Sequence, residues 1–270
     1  MLKKRIVFTL LYADGAFVLS RNFRLQKVGD IEWLEQNYDF RKIAFHIDEL
    51  IVLNVSRDKT ESSEFCAVLK KLSSGCFAPI AAGGGIRSER DAMALLDSGA
   101  DKIVINTGLV ESESVARGLV TAFGRQCLVG SLDLKRNQQG GYDRYVANGS
   151  RRISSPVTTE IERLSNDLVG ELYITSIDRD GTGQGFDFNI LDLVPSTCSV
   201  PIILAGGAGN SQHLQAGLKL LSVDAVATAH LFNFIGDGLA KARANVIKSG
   251  VTLATWPSTD VLGSFLKNEF

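Results

Sequence analysis

Two glycine-rich segments, 122 residues apart, have residue types that could hold phosphate groups. Gly-Gly-Gly at 83–85 follows the short apolar run 80–82, and Gly-Gly-Ala-Gly at 206–209 follows the run 202–204. Glycine lets the backbone come close to an anion, and the N-terminus of a following helix favours negative charge. A Gly-Gly pair after a strand is also common in ordinary tight turns. The matched segments favour a ligand with two phosphates, and the candidate contacts are Gly84, Gly85, Asn106, Thr107, Gly206, Gly207, Ala229 and His230.

A third segment, residues 170–187, combines a buried-strand pattern with an acidic, glycine-rich loop. The apolar run 172–177 is followed by Asp180 and Gly181, which add two candidate ligand contacts at the end of that strand. This segment also has a counterpart 122 residues earlier, since Glu49 matches Glu171 and Asp58 matches Asp180. The repeat indicates two similar halves, about residues 1–122 and 123–250.

Apolar and helical patterns alternate along the whole chain. Strands are expected at 5–11, 50–54, 80–82, 102–106, 127–133, 172–177, 202–204 and 225–227, and helices near 31–44, 61–73, 88–98, 112–123, 157–168, 187–194, 211–220 and 236–248. Eight nearly all-apolar strands alternating with helices predict an α/β fold. We expect a single (β/α)8 TIM barrel over 1–250 with a two-fold half-barrel repeat, followed by a C-terminal tail at 251–270. The polar stretch 135–153 indicates a loop at the active face, or a small hairpin.

Composition excludes several classes of function. The net charge of −1 offers no general attraction to nucleic acid or to an anionic membrane. The four cysteines, at 66, 76, 127 and 198, have no metal-ligand spacing and indicate reduced thiols, so neither a metal nor a cofactor is expected. No run approaches the roughly 18 apolar residues of a membrane span. The apolar start is interrupted by Asp14 and lacks a convincing cleavage site, so a cytoplasmic protein is expected.

Charged residues stand at the start of four of the predicted strands. They are Arg5, Glu49, Lys102 and Glu171, which we call the charged ring. Two cations and two anions could close a neutral ring at the bottom of a barrel, because charges inside a protein persist when they are paired. The alternative is four ordinary strand-end charges that point into solvent. By strand periodicity, Val7, Thr9 and Leu11 share one face and could line a narrow passage with Ala81 and Thr175.

These motifs together resemble the cyclase subunit of imidazole glycerol phosphate synthase, over about residues 1–250. The matching motifs are Arg-Ile at 5–6, Asp-Glu-Leu at 48–50, Gly-Gly-Gly-Ile at 83–86, Gly-Ala-Asp-Lys at 99–102, Ile-Asn-Thr at 105–107, Asp133, Thr-Ser-Ile-Asp-Arg-Asp-Gly-Thr at 175–182 and Gly-Gly-Ala-Gly at 206–209. The resemblance implies a barrel in a heterodimer with a glutaminase subunit. Ammonia would enter through a gate at the charged ring and cross the lumen to a substrate with two phosphates, which a lyase of histidine biosynthesis cleaves and cyclises.

The chain departs from this family at its acid–base residues. The resemblance implies two catalytic aspartates, of which the one ending the fifth strand is present as Asp133, whereas its partner position holds Leu11. A lysine of the family falls on Leu19 and an aspartate on Asn54, and His230 replaces a small hydroxyl residue. Losing one proton-transfer group typically costs about 10²- to 10⁴-fold in rate. Efficient cyclisation is therefore not expected, unless Asp14 takes the missing role.

Three functions remain open at this point. The first is that of a paralogous clade, in which a cyclase-like subunit and a glutaminase supply ammonia to a sugar amidotransferase in surface-polysaccharide (lipopolysaccharide, O-antigen) biosynthesis. The second is a true cyclase of histidine biosynthesis with an altered mechanism. The third is a non-catalytic scaffold that binds a phosphorylated small molecule and a partner. In the first case, Asp133 and the phosphate contacts would be inherited, or reused for a regulatory ligand.

Overall fold

Short apolar segments form the inner wall of the molecule, and most of the helices pack outside them. The computed structural model describes residues 3–57 and 62–254. The strands are β1 (Arg5–Ala13), β2 (Ala16–Arg21), β3 (Arg24–Gly29), β4 (Glu49–Asn54), β5 (Ile80–Gly83), β6 (Lys102–Ile105), β7 (Leu128–Arg136), β8 (Tyr142–Val146), β9 (Arg151–Ile153), β10 (Glu171–Ser176), β11 (Ile202–Ala205) and β12 (Ala225–Thr228).

The helices lie between these strands along the chain, except the last, which follows β12. They are α1 (Ile31–Asn37), α2 (Phe40–Ile43), α3 (Ser62–Gly75), α4 (Glu89–Asp97), α5 (Gly108–Glu111), α6 (Glu113–Phe123), α7 (Val157–Arg163), α8 (Ser211–Leu218) and α9 (Gly238–Lys248). Short 3₁₀ helices cover 125–127, 188–193 and 231–234, and a π turn covers 164–168. No helix in the described part of the chain has the length and apolar character needed to span a bilayer.

Within the described ranges, eight parallel strands close into a barrel. Their order around the barrel is β1, β4, β5, β6, β7, β10, β11 and β12, and β12 pairs with β1 to complete the circle. The predicted (β/α)8 TIM barrel is therefore confirmed. Alternate residues of each strand face the helices or the lumen, so the strands are buried on both sides and read as nearly continuous apolar runs.

The internal repeat is visible in the hydrogen bonds at the strand starts. An Asp101 carboxylate oxygen accepts the backbone N–H of Ile80 at 2.8 Å, and Asp224 does the same for Ile202 at 3.0 Å. The donors are 122 residues apart and the acceptors 123. Each carboxylate thus fixes the start of the preceding barrel strand in its own half. The proposed counterpart of Asp180, Asp58, lies outside the described residues.

Two antiparallel hairpins extend over the mouth of the barrel, one from each half. The β2–β3 hairpin follows β1, and its tip residue Asn22 donates its side-chain amide to the carbonyl of Ile177 at 3.0 Å. The β8–β9 hairpin follows β7, and Asn148 at its tip donates to the carbonyl of Val55 at 2.9 Å. The two acceptors are again 122 residues apart. Each hairpin is therefore held by the other half of the barrel.

Two expectations about the elements need correction. The segment 16–29 forms a hairpin that the sequence did not predict, and pairing with β2 extends β1 two residues beyond the expected end at Leu11. The helix expected over 187–194 is a short 3₁₀ helix, Phe188–Leu193. The stretch 135–153 contains the second hairpin, which agrees with the small-hairpin alternative expected for it. Of the tail, Leu253 forms a bridge with Lys4, and residues 255–270 lie outside the described part.

Candidate functional site

The C-terminal ends of the barrel strands surround a cavity of about 800 Å³. All ten residues expected to contact a phosphorylated ligand line this cavity, namely Gly84, Gly85, Asn106, Thr107, Asp180, Gly181, Gly206, Gly207, Ala229 and His230. Asp133 and Leu11 line it as well. The structure therefore brings together, in one concave space, expected site residues from seven separate segments of the chain.

Asp133 lies near the end of β7 and is 7% exposed. One carboxylate oxygen accepts a hydrogen bond from the side-chain amide of Asn106 at 2.6 Å. Burial raises the pKa of Asp133 from its ordinary 3.8 to about 7, although the Asn106 hydrogen bond and the charge of Arg144 act in the opposite direction. Arg144 itself is fully buried and pairs with Glu160 at 2.6 Å. A carboxyl group that titrates near neutrality can either donate or accept a proton.

The wall across from Asp133 offers no second carboxyl group at the expected position. Leu11, on β1, and Leu19, on β2, both line the cavity. Asp14 lies in the turn between these strands with an exposed side chain, and its backbone N–H donates to the hydroxyl of Ser56 at 3.1 Å. Asp14 is not among the residues that line the cavity. It therefore does not replace the missing aspartate in this structure.

The β2–β3 hairpin holds Asp180 in place. A carboxylate oxygen of Asp180 accepts hydrogen bonds from the Ser20 hydroxyl at 2.5 Å and from the backbone N–H of Phe23 at 3.1 Å. Burial raises the pKa of Asp180, while these two hydrogen bonds act to lower it. The sequence did not single out Ser20. The Asn22-Phe23 pair at the hairpin tip, where both residues have positive φ, was the available signal because Asn favours such turns.

Gly84 and Gly206 are required by close packing, whether or not a phosphate binds there. Gly84 has a φ of +119°, and a Cβ added to it would lie 2.1 Å from the carbonyl oxygen of Asn54. The equivalent contact in the second half is 2.6 Å, between Gly206 and the carbonyl oxygen of Ser176. Both glycines thus press against the end of the preceding barrel strand. The tight-turn and phosphate-contact interpretations are compatible at these positions.

We expect Gly84→Ala to lower the free energy of unfolding by more than about 2 kcal/mol, because a positive φ and a backbone clash both oppose the methyl group. The measurement is urea denaturation at pH 7. Gly140→Ala is the matched control, since Gly140 also has a positive φ, +83°, but no atom lies within 4 Å of an added Cβ. The control should lose about 1 kcal/mol. Equal losses in the two variants would contradict the close-packing explanation.

The two expected phosphate contacts differ in their polar groups. On one side, Thr107 is the N-cap residue that precedes α5, and its hydroxyl accepts a hydrogen bond from the backbone N–H of Ala147 at 3.1 Å. On the other side, the imidazole Nδ1 of His230 is buried, with no hydrogen-bond partner among the described residues. Burial lowers the pKa of His230 below its usual 6.5, so the imidazole is neutral near pH 7. At neutral pH, His230 in this structure therefore does not present the positive charge that could pair with a phosphate.

The charged ring lies at the other end of the barrel, at the starts of β1, β4, β6 and β10. Arg5 pairs with Glu49 at 2.8 Å and also with Glu171. Lys102 pairs with Glu49 at 3.2 Å and with Glu171 at 3.0 Å. The side chains of the two glutamates are only 3% and 6% exposed. Cations and anions therefore alternate around a closed circuit of four ion pairs.

Burial and pairing act against each other in this ring. Burial is the largest influence on Lys102 and lowers its pKa, but the charges of Glu49 and Glu171 outweigh it and the net shift is upward. The same balance raises the pKa of Arg5, through Glu171. For Glu49, burial prevails over the two cations and raises the pKa. Each glutamate thus depends on both cations, as expected for carboxylates held out of water.

We expect the buried Asp133 to make the folded protein less stable as pH rises. Between about pH 4 and pH 7 the folded protein holds a proton on Asp133 that the unfolded chain has released, so the free energy of unfolding falls through this range. A pKa difference of three units corresponds to about 4 kcal/mol at pH 8. Asp133→Asn should remove this component, as measured by urea denaturation at pH 5 and pH 8. Asp167→Asn, at an exposed position, is the control and should keep the wild-type pH dependence. An unchanged pH dependence in Asp133→Asn would show that the carboxyl is ionised throughout.

Comparisons with known proteins give a consistent result. A family model described as "Histidine biosynthesis protein" matches residues 21–236. A protein of Parasynechococcus marenigrum, provisionally named imidazole glycerol phosphate synthase subunit hisF2, is 46% identical over 95% of this chain and 96% of its own length. Proteins named imidazole glycerol phosphate synthase subunit HisF, from Hyphomonas neptunium and Caulobacter vibrioides, are 33% and 32% identical over 94% and 93% of this chain, and over 100% and 96% of their own lengths.

Proposed function

Because this chain belongs to the family of imidazole glycerol phosphate synthase cyclase subunits, we propose that it receives ammonia from a glutaminase partner and conducts it through the barrel. The ammonia then serves an acceptor other than the imidazole-forming substrate of the family. The chain would form a heterodimer with the glutaminase, docked at the end of the barrel that carries the charged ring.

One contrast carries this proposal. The charged ring is complete, with all four of its ion pairs formed, whereas the cavity at the opposite end has a leucine where a second proton-transfer group is needed. Four charged groups at the entrance to a lumen are costly to desolvate. That the chain nevertheless has these four charged groups favours a function at this end of the barrel. The leucine at position 11 cannot exchange a proton, so it argues against the cyclisation step.

The same contrast supports an ammonia acceptor outside this chain. If the mouth of the barrel does not use ammonia for ring formation, a separate enzyme must consume it. We propose a sugar amidotransferase of surface-polysaccharide biosynthesis, which would build an amidino group on a sugar. In this role the chain's own residues admit ammonia at the charged ring and shield it from water along the apolar lumen. The 800 Å³ cavity would then bind a phosphorylated regulatory ligand.

A second candidate function is a true cyclase subunit of histidine biosynthesis. The observation that favours it is Asp133, whose pKa of about 7 suits a single group that acts first as acid and then as base. The relatives named HisF also favour it. Against it stand Leu11 and the exposed position of Asp14.

The deciding experiment pairs the full chain with a glutaminase subunit from the same organism. We expect the two proteins to co-purify and the chain to increase ammonia release from glutamine. We also expect the pair to turn over the histidine-pathway substrate far below ordinary enzyme rates. Ordinary turnover of that substrate would favour the second candidate instead. Failure to co-purify, together with an unchanged glutaminase rate, would leave neither function and favour a scaffold. The neighbouring genes provide an independent check, since sugar-nucleotide genes support the first function and histidine genes the second.

A further inference from the structure

Between the charged ring and the cavity, the lumen contains Tyr173, the largest residue of the apolar cluster that fills the barrel interior. Tyr173 is the third residue of β10, is 6% exposed, and belongs to the cluster of apolar residues that fill the barrel interior. Three alanines on the next two strands, Ala205, Ala225 and Ala227, belong to the same cluster and are almost completely buried. Small residues on β11 and β12 thus leave the space that the phenol side chain of Tyr173 fills.

The hydroxyl of Tyr173 reaches across the lumen. It lies 3.3 Å from the hydroxyl of Thr9, on β1, and the strands β11 and β12 separate β10 from β1 in the barrel wall. Thr9 is 1% exposed. Burial raises the pKa of Tyr173 to about 12, so its hydroxyl is neutral at physiological pH. The neutral side chain of Tyr173 therefore spans the lumen from β10 to β1. We call Tyr173 and its contact with Thr9 the crossbar.

The crossbar divides the lumen into two parts. Above it, Tyr173 and Thr9 form part of the floor of the cavity. Below it, and above the charged ring, the interior is closed by apolar side chains, among them Val7, Ile51 and Val129, all 0% exposed. A small neutral molecule that enters at the charged ring therefore meets an apolar layer and then the phenol of Tyr173 before it reaches Asp133.

We propose that Tyr173, held by Thr9, is a second closure of the lumen, and that a small neutral molecule passes only when the Tyr173–Thr9 contact opens. That this molecule is ammonia rests on the proposed function. The lumen is then closed at one end by the charged ring and at the other by the crossbar. The two closures are chemically different, because the first consists of ion pairs and the second of a single hydrogen bond and a packed phenol. Passage through the second needs only rotation of one side chain.

The test places a reporter cysteine in the lumen, between the charged ring and the crossbar. Val7→Cys puts a cysteine in the apolar layer, two residues before Thr9 on the lumen face of β1, and methyl methanethiosulfonate serves as a small neutral probe. The rate of modification at position 7 is followed by mass spectrometry of the digested protein. Tyr173→Leu should accelerate modification by at least about tenfold, because it removes the phenol. Tyr173→Phe and Thr9→Val keep the phenyl group or the phenol and lose only the hydrogen bond, so intermediate rates are expected.

The native cysteines provide the internal reference. Cys76 is buried outside the lumen, among the residues packed between strands and helices, and its rate should not change in any variant. If Cys76 also reacts faster in Tyr173→Leu, that variant is loosened as a whole, and Thr9→Val decides the question. Rapid modification of Val7→Cys with Tyr173 and Thr9 in place would overturn the proposal, as would no acceleration in Thr9→Val. Because the assay uses the free chain without glutamine, its outcome is independent of whether the chain receives ammonia from a glutaminase.

Discussion

The double substitution Leu11→Asp with Leu19→Lys is expected to raise the rate of imidazole ring formation by at least about 10²-fold, the typical contribution of one general acid–base group. Both positions line the cavity that contains Asp133. The substitutions supply the two titratable groups that the resemblance to the cyclase family implies at these positions. The measurement is turnover of the histidine-pathway substrate by the purified chain, with ammonium chloride as the nitrogen source so that no glutaminase is needed.

The matched control is Leu11→Asn with Leu19→Met. Asparagine has nearly the same shape as aspartate and adds similar polarity but cannot exchange a proton, so the control should remain at the wild-type rate. A gain in the control equal to that in the Asp/Lys variant would assign the effect to polarity rather than to proton transfer. A wild-type chain that already turns over at ordinary enzyme rates would contradict the premise that Leu11 disables the step.

Lys102→Met is expected to lower the free energy of unfolding by about 3 kcal/mol at pH 7 and, under the proposed function, to weaken stimulation of the glutaminase partner. Removing one cation leaves Glu49 and Glu171 sharing Arg5 alone, and breaking a buried ion pair typically costs about 3–5 kcal/mol. Lys102 is 27% exposed, which places the expected loss at the low end of that range.

The pH dependence identifies the cause of this loss. The pKa of Glu49 is already raised by burial and rises further without Lys102, so the folded variant binds a proton that the unfolded chain releases. The loss relative to wild type should therefore be smallest at low pH and grow as pH rises through the range in which this carboxyl titrates. Urea denaturation between pH 4 and pH 8 measures this trend. Arg117→Met breaks an exposed pair with Glu113 on α6 and should change stability by less than about 0.5 kcal/mol at any of these pH values. A pH-independent loss in Lys102→Met would point to lost packing instead.

The barrel strands and the charged ring were predictable because their signals are local. Each of Arg5, Glu49, Lys102 and Glu171 precedes an apolar run, and parallel strands of a closed barrel bring their starts to one end. Asp133 and the two glycine segments could likewise be placed at the mouth, because each follows such a run. The 122-residue repeat strengthened these assignments without any knowledge of the fold.

The first hairpin, over 16–29, and the crossbar were not predictable from local patterns. The segment 16–29 has no clean alternation of apolar and polar residues, since β3 is largely exposed, and its pairing depends on β1 continuing past Leu11. The contact between Ser20 and Asp180 joins residues 160 positions apart. Tyr173 reads as one more apolar residue of a buried strand, and only its contact with Thr9 and the alanines on the neighbouring strands show that its side chain crosses the lumen. Such features depend on the spatial order of the strands.

The crossed hairpins have a consequence for how a ligand enters. Since Asn22 and Asn148 fasten each half of the barrel to the other through equivalent carbonyls, the entrance has approximate rotational symmetry. A molecule with similar groups at both ends can dock in either of two opposite directions. Only the differences between the halves, such as Asp133 in one half and Leu11 at the equivalent position of the other, distinguish the two directions. This difference between the halves therefore decides which end of such a ligand lies beside Asp133.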